Sequence, residues 1–461
     1  MDDIVIITLK NGLISAKKDK GVFMKKFFTL VLTICILTSV FCINVFSADK
    51  EESSIVLIVS GLKKNNNELE RIGSYSRFDT GWNRAMEYAI DHDFMEAKGY
   101  DRIVVDLLAD WTAVNGEFCN SGKGFNWDAI YFSNNVHITL NMNGHTIDRG
   151  LTEAEFAGEV MYIDSGADVI INGGKQGDAI VKLGENPGDI KLGTIKGGYS
   201  NNGAGGIHIN DDAKVVLNNI IITGNSIRND QGAGISIDDD ATFTMNGGQI
   251  IGNKGYHAVL GCAIYVDDAT ATLNDVLISD NVITSNYTGR GAVCSGAAGY
   301  VDGGTLTYNN CTIKNNHSSH YGGGVSVTFG EAVLNQCIVT GNSAAIEGSA
   351  IYTNINRGSC IINNSKIIGN KGTDKISVFY AQAGEIHLID SEYDPYFEKH
   401  YGEFFINNAT NNHEQPGSIF SEGSMAMVFA VIALLCSIAS IGITLYNNKK
   451  KTIPADKKTS D

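Results

Sequence analysis

Proline is nearly missing from this chain: there are 4 in 461 residues, against 52 glycines. Its turns must come from glycine and from residues that tolerate unusual backbone angles, and so many of them indicate one repetitive body. Basic charge is also short, with 35 lysines and arginines against 51 acidic residues. Between the two apolar ends the deficit sharpens to 24 basic and 46 acidic residues, about 22 net negative charges. That balance excludes nucleic acid as a partner, because phosphate binding needs the opposite sign. It keeps the molecule soluble and gathers cations.

Long apolar runs occur only near the ends. "MKKFFTLVLTICILTSVFCINVFSADK" from Met24 has a lysine pair, an apolar stretch and a small-residue exit at Ser47-Ala48, the three parts of a secretion signal. Residues 24–48 are therefore expected to be a signal peptide, with an uncleaved anchor as the alternative because Phe46 is bulky. Residues 1–23 read as an over-called start. "MAMVFAVIALLCSIASIGITLY", 425–446, is long enough to cross a ~30 Å hydrocarbon layer at 1.5 Å per residue. The lysines of the tail, 447–461, favour the cytoplasmic side. The expectation is a single-pass protein of the cell membrane whose body lies outside.

What is abundant is a motif. "LNNIIITGN", "MNGGQIIGN", "LNDVLISDN", "YNNCTIKNN", "LNQCIVTGN" and "INNSKIIGN" place one asparagine at Asn218, Asn246, Asn274, Asn309, Asn335 and Asn363, spaced by 28, 28, 35, 26 and 28 residues. A second follows seven residues later, at Asn225, Asn253, Asn281, Asn316, Asn342 and Asn370. The residue four after each first asparagine is isoleucine or valine, and the residue before it is large and mostly aliphatic. Apolar residues two apart on either side of a polar break describe two short strands around a bend. A third, opened by glycines, precedes them in "GGIHI", "GAGISI", "GCAIYV", "GGGVSV" and "GSAIYT".

Three strands in about 28 residues, repeated in one sense, predict an all-β fold: a single-stranded right-handed parallel β-helix. Stacking at about 4.8 Å turns each repeat position into a column. The two asparagine columns should form amide ladders, with the asparagines themselves taking the left-handed conformation at the bends. Asn143 with Asn172 upstream, and Asp390 downstream, extend the pattern to about nine coils, on the order of 40 Å. Gly173 to Gly203 and roughly Val282 to Gly304 break the rhythm and should leave the helix as loops.

The body is thus divided into an N-terminal cap, 49–130; the β-helix, 131–392; and a C-terminal cap and tether, 393–424. The N-terminal cap has an amphipathic helix over Asp79–Ile90, with Thr80 as N-cap and Trp82, Ala85, Met86, Ala89 and Ile90 on one face, then the strand "RIVVDLLADWTA". The aromatic segment "YDPYFEKHYGEFF" closes the other end without an assigned structure.

From Trp82 to about Ile389 the chain resembles pectin-lyase-like right-handed β-helix proteins, in particular bacterial and archaeal surface repeat proteins of the adhesin-like and polymorphic outer membrane protein-like kind. The marks are the helix followed by "LLADWTA", the opening coil "ITLNMNGHTIDRG", and the glycine-led strands paired with the two-asparagine units. They are specific for fold and weak for activity. The chlamydial phenylalanine-led repeat is missing, and no autotransporter barrel follows. The single helical anchor and lysine tail look more like a Gram-positive bacterium or an archaeon.

β-Helix enzymes exist, so chemistry was sought in the columns. Asp211-Asp212, Asp239-Asp240 and Asp267-Asp268 precede successive asparagines by seven and six residues. Stacked carboxylates of this kind can take calcium; aspartate also simply favours turns, and that is the stronger reading. No arginine sits beside them as a lyase base, and neither a hydrolase-like run of paired aspartates with "GHG" and "RIK" nor a lyase-like arginine motif is present. His208, His257, His317 and His320 lie on no metal spacing. Cys311 and Cys337 share a column, either as small core residues or as a disulfide. Tyrosines such as Tyr287, Tyr300 and Tyr321, taken as exposed, suit sugar rings. The expected function is display or adhesion without catalysis, with a glycan or protein ligand; the alternative is an extracellular polysaccharide lyase or hydrolase.

Overall fold

Where apolar residues alternate with polar ones, the chain forms strands that pair in parallel with their own repeats. The structure, a computed structural model, describes residues 5–9, 12–16, 55–113, 130–156, 158–285, 294–354, 358–371, 377–399 and 401–411. The signal, anchor and tail expected over 24–48, 425–446 and 447–461 lie outside these. Among the described residues no helix is long and apolar enough to cross a membrane. The chain divides into Met1–Ile55, where Val5–Leu9 and Gly12–Ala16 form an antiparallel hairpin, and a unit from Val56 onward.

In the second unit the register is unbroken on the asparagine side. His137, Asp168, Lys214, Thr242, Thr270, Thr305, Glu331, Ser359, Glu385 and Glu403 are successive Cα partners, all parallel. Nine steps at ~4.8 Å give about 43 Å along the stack. Inward positions hold Val169, Val215, Phe243, Ala271, Leu306 and their neighbours, fully buried. Each large aliphatic side chain so buried contributes roughly 1.5–3 kcal/mol.

Three strand positions per coil were expected, and the structure adds a fourth. Tyr199–Ser200, Ser226–Ile227, Lys254–Tyr256, Val282–Thr284, His317–Ser318 and Ser343–Ala344 make a separate six-stranded parallel sheet. It has its own apolar cluster, including Ile227, Val259, Cys262, Ile283 and Cys294. Strands of two or three residues are too short to show alternation. The two predicted breaks shrink accordingly. Gly193–Lys196 pairs within the main sheet, leaving 174–192 as the first excursion, and Val282–Thr284 belongs to the small sheet.

The asparagine columns are ladders of opposite polarity. In the first, the Nδ2 of Asn172, Asn218, Asn246, Asn274, Asn309, Asn335 and Asn363 each donates to the Oδ1 of the preceding coil at 2.8–3.0 Å. Asn141 is the member beneath Asn172, in place of the expected Asn143, and donates to Asp106 Oδ1 at 2.8 Å. A carboxylate only accepts, so Asp106 fixes the direction of the whole chain of amides. In the second ladder, Asn225, Asn253, Asn281, Asn316 and Asn342 donate to the following coil at 2.9–3.1 Å. Each of the accepting Oδ1 atoms from Asn253 to Asn370 also takes the main-chain N–H of the asparagine beneath it. The second Nδ2 proton goes to a carbonyl such as Ile222 or Ile250. These amides are buried with all their capacity used, as a buried polar group requires.

The asparagines of the ladders do not take the left-handed conformation themselves, contrary to expectation. That role falls on the residue after the first asparagine, at Asn219, Gly247, Asp275, Asn310, Gln336 and Asn364. It falls also on the residue before the second, at Gly224, Gly252, Asp280, Asn315, Gly341 and Gly369. A ladder amide needs its backbone in the strand, so the bend is displaced onto a neighbour. Asp390 is such a neighbour, with φ 48°, and Ile389 occupies the ladder column above Asn363. Asn143, φ 53°, is a bend residue too.

Other columns show how size is traded between coils. Tyr308 stands where its neighbours have Leu273 and Leu334. Its ring fits because Gly299 replaces the β-branched residue that Val325 provides one coil on, and a Cβ at Gly299 would lie 2.1 Å from the Tyr308 hydroxyl. The Cys311 and Cys337 thiols are free, and each donates at 3.4 Å to the carbonyl of a residue in the preceding coil, Leu273 and Tyr308. Ser365 and Ser391 continue the same column with hydroxyls. Here cysteine behaves as a small residue with a weak donor.

At the N-terminal side helix α1, Phe78–Ile90, packs on the first coil. Its preceding residue is Arg77, without a side-chain cap, so Thr80 lies inside the first turn and is not the N-cap. Trp82, Ala85, Met86 and Ala89 are buried, while Ile90 is exposed. The Trp82 indole donates to the Tyr131 carbonyl at 3.1 Å and meets Phe132 edge-on. The strand Tyr100–Leu107 pairs in parallel with His137–Asn141 on one edge and antiparallel with Leu57–Lys63 on the other. At the C-terminal side the segment left unassigned by sequence forms a further coil in register beyond residue 392. Phe397 stacks on Phe379 at 4.9 Å and meets Tyr393 and Phe404 edge-on.

Candidate functional site

In four successive coils the opening strand, ending at Ile209, Ile237, Val266 and Val301, runs into an acidic corner. The chain turns there through Asp212, Asp240 and Asp268, whose φ of 57°, 56° and 44° are left-handed. The Asp212 and Asp240 amides bond to the carbonyls of Asp239 and Asp268 in the next coil at 3.1 and 3.2 Å. The backbone accounts for these three aspartates without a ligand, since short polar side chains tolerate this conformation.

Three of the six aspartates picked out in the sequence come together. Asp239, Asp267 and Asp268 each place a carboxylate oxygen within 4.8 Å of the others, the one such group of His, Cys, Asp or Glu among the described residues. Asp211, Asp212 and Asp240 stand outside it. Two acids the sequence reading passed over join the corner: Asp302, the Cα partner of Asp267, and Asp238. Asp302 precedes Asn309 by seven residues, the offset at which Asp267 precedes Asn274, so the asparagine column itself places it beside Asp267.

Burial, then Asp302, Asp239, Asp238 and Asp268, push the Asp267 carboxyl up to about 6. Asp302 is also raised, by burial first, with the Tyr265 hydroxyl bond opposing. The charged neighbours that shift Asp267 are all aspartates, while at the corner's edge His208 faces Asp238. Such a cluster takes up protons or a hard cation, and calcium accepts six to eight oxygens of this kind.

Beside the corner runs a column of rings on the outer side of the same strands. Tyr131 stacks on Tyr162, Tyr265 on Tyr300, and Tyr352 on Tyr380, with centroids 5.7–5.8 Å apart and planes within 14°. One rule ties the polar ends of five of the rings: each reaches the residue two places further on in the next coil. Tyr131 bonds Asp164, His208 Nε2 meets Asp238 at 2.6 Å, Tyr265 donates to Asp302 at 3.3 Å, Tyr300 pairs with Thr328, and Tyr352 donates to Gln382 at 2.6 Å. The signal was available in the sequence as a ring in mid-strand followed by an acceptor at the matching offset one repeat later.

Tyr300 is therefore not the exposed tyrosine expected; it is 3 % accessible, and burial raises its hydroxyl to about 12. Tyr321 is half-buried and stacks on Tyr352 at 4.8 Å. Tyr287 lies outside the described residues. Of the four histidines, His208 is held by Asp238, and His317 bonds Ser343 at 2.9 Å, its pKa lowered by burial. His320 meets Ser319, and His257 sits in a left-handed bend, so the four do not converge.

No curated protein and no solved structure matches the chain. The sequence model that does match describes a right handed beta helix region over residues 129–346, and with the parallel register it makes this an all-β, β-helix repeat protein.

Proposed function

We propose that the protein is a non-catalytic, membrane-anchored β-helix held outside the cell for display or adhesion, with a glycan or a neighbouring protein as ligand. The observation that carries this reading is the self-bonding of its most chemically endowed face. The ring column spends its hydroxyls and its histidine on the next coil, where a catalytic face would keep such groups aimed at substrate. On this reading α1 and the antiparallel strand Leu57–Lys63 close the first coil's open edge, as solenoid ends require. The acidic corner would hold calcium through Asp239, Asp267 and Asp268.

A second reading, a polysaccharide lyase or hydrolase, draws support from one feature: a carboxyl raised to about 6 at Asp267 amid other carboxylates, the kind of separation an acid and base pair uses. A glycan array run beside a reducing-end and unsaturated-product assay distinguishes the two. Binding without product supports display. Turnover of any polysaccharide, abolished in Asp267→Asn, replaces that reading with the enzyme.

A further inference from the structure

Away from the acidic corner, on the side of the small six-stranded sheet, a recess of about 410 Å³ opens between Tyr199, Arg228, Tyr256, His257 and the turn carrying Thr152 and Glu153. Tyr199, Arg228 and Tyr256 come from three successive coils, and Thr152 and Glu153 from the coil before them. Tyr199 is the Cα partner of Ser226, and Ser226 of Lys254, so Arg228 lies on the coil between the two tyrosines. The two rings meet at a tilt, centroids 5.8 Å apart and planes at 37°.

The recess lining carries one arginine, Arg228, and one carboxylate, Glu153. Arg71, Arg77, Arg84, Arg102 and Arg149 each have a side-chain partner in Ser74, Asp79, Glu87, Asp168 and Glu155. Arg228 alone among the described arginines has none, in a chain rich in carboxylates that could have supplied one. Its main-chain N–H is tied to the Ser200 carbonyl at 3.0 Å, so the side chain projects from a fixed strand. His257 is held as firmly: its N–H donates to Thr284, its carbonyl accepts the Cys294 thiol at 2.7 Å, and its φ is 68°. A non-glycine residue keeps that conformation where its surroundings over-determine it.

We infer that this recess binds a sugar residue bearing a carboxylate, with the acid on Arg228 and the ring against Tyr199 and Tyr256. A guanidinium offers a planar fork that matches a carboxylate in two parallel hydrogen bonds, and tyrosine faces suit the apolar side of a pyranose. Glu153 and Thr152, also in the lining, offer acceptors for sugar hydroxyls. The volume lies within the range of small-ligand sites, about 300–1,000 Å³, and suits one or two rings. This inference deepens the display reading, on which it rests, by naming the ligand class.

The test is ligand-observed NMR titration of the full-length protein with methyl glucuronide, methyl sialoside and, as neutral control, methyl glucoside. The expected result is binding of at least one acidic sugar at least tenfold tighter than the glucoside. Arg228→Gln should weaken it at least tenfold, Arg228→Lys less, and Tyr256→Ala should remove it, each with an unchanged melting temperature. If Tyr256→Ala unfolds, Tyr256→Phe replaces it and should retain binding. Equal affinity for acidic and neutral sugars, binding indifferent to Arg228→Gln, or no acidic sugar bound would each overturn the inference. An acidic peptide that binds through Arg228 while both acidic sugars fail overturns it as well. None of these outcomes touches the display reading, which turns on product formation.

Discussion

Asn141 Nδ2 donates to Asp106 Oδ1 at 2.8 Å, and through this one bond a carboxylate closes the amino end of eight aligned side-chain amides, Asn141 to Asn363. Aligned amide dipoles leave partial positive charge at the N–H end, as in a helix, and an anion there is favourable. Asp106→Leu should therefore cost about 1–3 kcal/mol by stranding a buried N–H. Asp106→Asn, which still accepts, should cost under about 1 kcal/mol. Urea unfolding of the two variants checks this; equal losses would mean that the carboxylate does not set the ladder's direction.

The two ladders differ in what depends on them. Asn281 accepts from the side chain and the main chain of Asn253 and donates to Asn316 and Ile250, wholly buried. Asn274 only links Asn246 and Asn309, and is half-buried, where water can replace it. Asn281→Ala should lose roughly 2–4 kcal/mol and Asn274→Ala roughly 0.5–1.5. The same urea midpoints decide it, and the reverse order would contradict the burial argument.

Gly299 and Tyr308 are coupled by volume. Gly299→Val should destabilise by about 2–3 kcal/mol through overpacking against the Tyr308 ring. Adding Tyr308→Leu should recover most of that loss, so a double-mutant cycle gives a large interaction term. Tyr308→Phe alone should be neutral or stabilising, because the Tyr308 hydroxyl is buried without a hydrogen-bond partner. Simple additivity in the cycle would refute the pairing.

The acidic corner predicts a pH dependence. The folded pKa of Asp267, about 6, lies above its unfolded value of ~3.9, so folding takes up a proton between them. The stabilisation this brings is complete below about pH 4 and is lost as the pH rises through 6. Between pH 5 and 7 the wild type should lose about 1 kcal/mol more than Asp267→Asn, after allowance for solvent screening. Calcium at pH 7 should raise the melting temperature of the wild type and leave Asp239→Asn with Asp267→Asn unmoved. A calcium shift that survives in the double variant would move the ion elsewhere.

The β-helix and its columns were legible because one coil's inner face is written by alternation and the next coil repeats it, so Ile222, Ile250 and Ile278 announce their stacking. The bends were misassigned by one residue for a physical reason. Asn218 and Asn219 are chemically alike, and only the structure shows that one keeps strand geometry to join the ladder while the other turns the chain. The corner was half legible. Asp239, Asp267 and Asp268 were in view as Asp-Asp pairs, whereas Asp302 holds the same offset before Asn309 but is followed by Gly303, so the pair pattern stops one coil short of it. The ring column was missed because its bonds run diagonally between repeats, from Tyr265 to Asp302, and no single repeat contains both partners.

Everything above depends on parallel coils in constant register, and electron spin resonance distances test that most directly. Spin-label residues introduced at position 214 and paired in turn with 270, 331 and 385 lie two, four and six steps apart along one column. The account predicts backbone separations of about 10, 19 and 29 Å, rising linearly at ~4.8 Å per coil. Distances that plateau, or fail to increase in that order, would contradict it.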